Sequence, residues 1–163
     1  MLQRVESTLF AIRNKLYNNE DIRKLLFHDS NNALNMLAPS KEEVSEYITV
    51  KPIFEFENKE GYEQNSIINI YPIQVDPIDD RQGIEGVIQI NVVCNTDQWE
   101  LIDNKIRPLQ LANKIIKLIN NNKFTVSNKL TLNTMTELIL SKKMTGFALL
   151  FDVVDGSGEN EQF

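Results

Sequence analysis

Cysteine, histidine and tryptophan each occur once in this 163-residue chain, as Cys94, His28 and Trp99. A single cysteine excludes an intrachain disulfide and a thiolate metal cage built from one chain. Cys94 lies within an apolar alternation, where a small buried hydrophobe is expected. A single histidine makes any Ser-His-Asp or Cys-His pair depend on His28. Its neighbours Asp29 and Ser30 are suggestive only in sequence, because adjacent side chains rarely point at one another, and no G-x-S-x-G turn is present. Long apolar runs are also missing: none approaches the roughly 20 residues that span a bilayer. The opening Met1–Glu6 has no basic stretch followed by an apolar one, so a soluble intracellular protein is expected. Positive charge is in deficit, with 17 Lys and Arg against 23 Asp and Glu and a net charge of −6, which removes the electrostatic footprint of general nucleic-acid binding.

What is present is ordinary globular composition, 42% apolar and 25% charged, in a length that suits one domain with a real core. Leu2, Val5, Leu9, Ile12 and Leu16 recur at helical spacing and predict a helix to about Tyr17. Asn19 is placed to cap a second, short helix through Leu26, with Glu20 and Asp21 in its first turn. Residues 28–47 read as irregular with one or two helical turns. Residues 47–57 and 66–75 alternate as strands, with Pro52 and Pro72 favouring an edge or a bulge. Gly86–Asn95 is the clearest strand, with Ile88, Ile90, Val92 and Cys94 on one side and a partly wet face on the other.

Arg107-Pro108 opens a long helix whose predicted stripe is Leu109, Ala112, Ile115, Ile116 and Ile119, widened by Leu111 and Leu118 and ending at Asn120-Asn121-Asn122. Residues 129–140 and 145–154 predict two closing strands, and 155–163 a flexible tail. The order of elements gives an α+β domain over residues 1–154, an antiparallel sheet with helices on one face.

Candidate chemistry is thin, and no catalytic residue, cofactor or metal is assigned. Asp76, Asp79 and Asp80 form the densest acidic cluster, beside Arg81, but their spacing matches no calcium loop and reads as a solvated turn. Glu57-Asn58-Lys59 resembles the Glu-x-Lys of a Mg²⁺-dependent nuclease, without a partner Asp on a preceding strand. Trp99, in a polar segment before a helix, reads either as a cap on the core or as an interface anchor.

The strand ending in Val92-Val93-Cys94-Asn95, the Trp99 segment and the Arg107-Pro108 helix together resemble the centre of tailed-phage neck and tail-terminator proteins. The opening helix, Asp21-Ile22-Arg23-Lys24-Leu25-Leu26 and the closing strand Phe147–Val154 extend the resemblance over most of the chain. It implies a non-enzymatic virion component, assembled in the host cytoplasm into a hexameric or dodecameric ring at the head-tail junction. Its partners would be portal-side or other neck proteins and tail proteins, and its lumen would pass DNA without binding it. Trp99, Arg107, Asp76, Asp79, Asp80 and Arg81 are the candidate interface residues. A phage accessory or baseplate interaction domain is the alternative expectation.

Overall fold

The apolar spacing at the N-terminus is realised as helix α1, Leu2–Tyr17, with Val5, Leu9, Ile12 and Leu16 buried along one side. The computed structural model describes residues 2–51, 66–77, 84–123 and 128–155. Helix α2, Glu20–Phe27, begins where predicted, because the Asn19 side chain accepts from the Ile22 N–H and satisfies one of the helix's orphan donors. Residues 28–47 contain two 3-10 turns, Ala33–Asn35 and Glu42–Val44. The second starts with a reciprocal capping box, Ser40 N–H to Glu43 Oε2 and Glu43 N–H to Ser40 Oγ.

Among the described residues seven strands follow: β1 (Ile48–Thr49), β2 (Ile67–Pro77), β3 (Ile84–Asn95), β4 (Glu100–Leu101), β5 (Lys105–Ile106), β6 (Asn128–Ile139) and β7 (Met144–Asp155). Helix α3, Arg107–Ile119, lies between β5 and β6. Five strands form the main sheet in the order β1-β2-β3-β7-β6, and β4-β5 is a separate small hairpin. The α+β architecture is as predicted, with one difference. β1 pairs with β2 in parallel, so the sheet is mostly rather than wholly antiparallel. Most of the strand predicted over 47–57 lies outside the described residues.

The helices cover one face of the sheet. Ile68, Ile70, Ile88, Ile90, Val92, Leu149 and Phe151 pack there against α1, α2 and α3 in one continuous core. Complete burial of each such side chain contributes roughly 1.5–3 kcal/mol. The opposite face is partly wet at Val87 and Gln89, as expected, and closed toward the Asn95 end of β3. Ile67, Val93 and Met144 form a second, smaller cluster there, and Asn69 and Asn91 are fully buried. Those amides satisfy each other: Asn91 Nδ2 donates to Asn69 Oδ1 at 3.0 Å, Gln89 Nε2 donates to Asn91 Oδ1 at 2.6 Å, and Asn69 Nδ2 donates to the Lys51 carbonyl.

Two bulges shift the ladders, between Pro72 and Gln74 in β2 and between Leu132 and Thr134 in β6. The buried stripe of α3 follows prediction at Leu111, Ala112, Ile115 and Ile119 and departs from it at its N-terminal end. It runs Arg107, Leu111, Ile115, Ile119 with Pro108 and Ala112 beside it, while Leu109 stays 39% exposed. An arginine heads the apolar row, and its polar character hides that one position from a reading of apolar periodicity.

Where β7 crosses β3, Gly146 faces Val93, and a Cβ there would meet the Val92 carbonyl oxygen. Gly146→Ala is therefore expected to lower the unfolding free energy by about 2 kcal/mol or more, read as a reduced urea midpoint with unchanged slope.

Candidate interface around Trp99 and Arg107

The chain leaves β3 through an Asx turn, with Asn95 Oδ1 accepting from the Asp97 N–H at 2.9 Å, and enters a short 3-10 turn over Thr96–Gln98. Trp99 closes that turn. Its indole N–H donates to the Cys94 carbonyl at 3.3 Å, and its ring lies 6.4 Å from that of Phe147 while packing partly buried against the core. The strands β4 and β5 then reverse through Asp103 and Asn104, both at positive φ, a conformation that Asn and Asp tolerate better than most residues. Together Thr96, Asp97, Trp99, Glu100, Ile106 and Thr145 line an open hollow with an acidic rim. Trp99 thus caps the core with one side of its ring and borders a surface depression as well.

Arg107 does not face a neighbour. It is fully buried, and its guanidinium donates to four main-chain carbonyls: Nε to Gln98 at 2.9 Å, Nη1 to His28 at 2.7 Å and to Leu25, and Nη2 to Ser30 at 2.8 Å. Its own N–H donates to the Trp99 carbonyl at 2.7 Å. Burial lowers its pKa from the usual guanidinium value, opposed by the Coulombic influence of Cys94 and Asp29. The sequence-based interface role for Arg107 is corrected to an internal clamp, because every carbonyl it serves belongs to its own chain.

The other candidate residues are not brought to this place. Asp76 pairs across the sheet with Glu85, whereas Trp99 follows Asn95, ten residues along β3, which is about 33 Å in an extended strand. Asp76 is exposed and accepts from Gln74 Nε2. Asp79, Asp80 and Arg81 lie outside the described residues, as does Glu57-Asn58-Lys59. Among the described residues no group of three or more His, Cys, Asp and Glu side chains is placed to hold a metal. His28 Nε2 donates to the Leu37 carbonyl at 2.8 Å, and its ring stands edge-on to Phe27. No helix in the described residues is long and apolar enough to cross a membrane.

Sequence reasoning missed the strongest apolar exposure. Leu37 is 90% and Ile139 63% exposed, and Met135 shares the helix-side face of β6 with Ile139. Alternation over residues 134–139 was the available signal for β6, but the bulge before Thr134 shifts its phase.

A helix-backed, mostly antiparallel sheet with apolar side chains exposed on an edge strand and a loop defines an α+β domain. The chain belongs to the YomW family, a phage-derived family, whose model matches residues 19–153. No curated protein matches it.

Two outcomes are expected. Arg107→Lys has too few donors in the wrong geometry for four carbonyls, and should cost about 3 kcal/mol or more in chemical denaturation. Burial pushes the Cys94 thiol up to about 12. Its contribution to stability is therefore full below the ordinary thiol range of about 8.5 and is lost as pH rises toward 12. A thiol reagent at neutral pH should leave Cys94 untouched in the folded chain and modify it in denaturant.

Proposed function

We propose that the chain is a structural component of a phage particle that forms a ring at the head-tail junction, as a neck protein or tail terminator. The observation that carries this reading is membership of a phage-derived family, in a chain whose element order resembles the neck and tail-terminator proteins. Surface chemistry supports it. Exposed apolar side chains on β6 are suited to contacts between subunits, and edge strands are natural sites of association. A net charge of −6 suits a conduit that passes DNA without gripping it. In this reading six or twelve copies join portal-side or other neck proteins to the tail. The protein resides in the host cytoplasm during assembly and afterwards in the virion.

Deleting the gene in the phage that encodes the chain should leave filled heads and tails that fail to join, seen by electron microscopy. Intact tailed particles without the protein would overturn the reading. Gold labelling at the distal end of the tail would replace it with a baseplate interaction domain.

A further inference from the structure

One row of residues crosses the whole main sheet: Ile48 pairs with Ile68, Ile68 with Val92, Val92 with Phe147, and Phe147 with Glu137. The chain enters β1 just after the 3-10 turn Glu42–Val44 and leaves β6 just after Ile139. The segment before Ile48 and the turn after Glu137 therefore lie off the same end of the sheet, at its two opposite edges. Four strand spacings separate those edges, about 19 Å.

These two places carry opposite charge. The β1 side presents exposed Glu42, Glu43 and Glu46 with one exposed cation, Lys41, and is acidic on balance, while the β6–β7 turn presents exposed Lys142 and Lys143, a basic pair that outweighs the one exposed carboxylate on the adjoining edge, Glu137. Ile139, just before the basic pair, and Met135 are 63% and 41% exposed on the face that elsewhere packs under the helices. The core-facing pattern of β6 thus continues beyond the helices that cover Leu130. The acidic stretch is likewise preceded in the chain by exposed Met36 and Leu37.

We propose that the chain associates head to tail with itself, the Lys142–Lys143 turn and the Met135–Ile139 edge of one copy docking on the Glu42–Glu46 side of the next. The proposal rests on the assembly reading above and assigns its interface. A surface complementary to a different surface of the same molecule gives a heterologous contact, which closes into a ring or runs on as a filament. Side chains make this contact, because Tyr17 Oη donates to the Ile48 carbonyl at 3.0 Å and blocks strand addition there.

The test uses the full chain in native mass spectrometry and sedimentation at low and moderate salt. The wild type should form oligomers that weaken with salt, as exposed ion pairs are screened. Lys142→Glu with Lys143→Glu, or Glu42→Lys with Glu46→Lys, should each weaken association about tenfold or more, and all four substitutions together should restore it; Glu43 is left in place because it caps the 3-10 turn. Every substituted side chain is exposed, so circular dichroism should be unchanged. Oligomers insensitive to both reversals would overturn this interface and leave the ring reading standing. A wild type that stays monomeric at all concentrations would overturn the self-association proposed here, while the particle phenotype of the gene deletion independently decides the ring reading.

Discussion

A single guanidinium holds three parts of this fold in register. Arg107 begins α3, yet its donors reach back to the end of α2, to the loop after it and to the turn that follows β3. The Leu25 carbonyl belongs to the last turn of α2, where acceptors have no helical partner and the dipole favours a positive charge. Burying that charge without an ion pair is costly in general. Here four carbonyl dipoles replace its water, so the cost is offset only when every one of them is correctly placed. The clamp is therefore a condition on geometry as much as a source of stability.

The sheet meets a related demand by different means. Its helix-side face is apolar almost throughout, while the reverse face buries Asn69 and Asn91 as a mutually satisfied pair. A one-residue slip of β2 against β3 would separate those amides and exchange the two faces, so the polar pair favours the observed register. The ion pair of Lys114 with Asp21, 3.0 Å and partly exposed, adds a weaker tie between α3 and α2.

Much of this architecture was legible from periodicity. Both N-terminal helices, the Asn19 cap, the Gly86–Asn95 strand and the closing hairpin follow from spacing and end signals that local sequence carries. What local sequence could not carry was long-range partnership. Arg107 reads as polar until the carbonyls it serves, three of the four 77 to 82 residues earlier, are known, and it is buried at the head of α3 where Leu109 had been expected and is exposed. The parallel β1–β2 pair and the burial of Asn91 and Val93 on the reverse face of β3 likewise depend on neighbours distant in the chain. Of the interface candidates, Trp99 borders a surface hollow, Arg107 is internal, and Asp76 stands at the far end of the sheet. A bulge conceals the exposed β6 side chains, because one extra residue inverts every later position in an alternation.

The central strand also imposes a timetable on synthesis. β3 pairs with β2 on one side and with β7 on the other, and β7 begins about 50 residues after β3 ends. At ~5–20 residues per second, β3 waits for several seconds with its Val- and Ile-rich second edge unpaired. Nascent chains are exposed to one another during that interval. The polar Gln89, Asn91 and Asn95 spaced along the strand are then its chief safeguard against premature pairing.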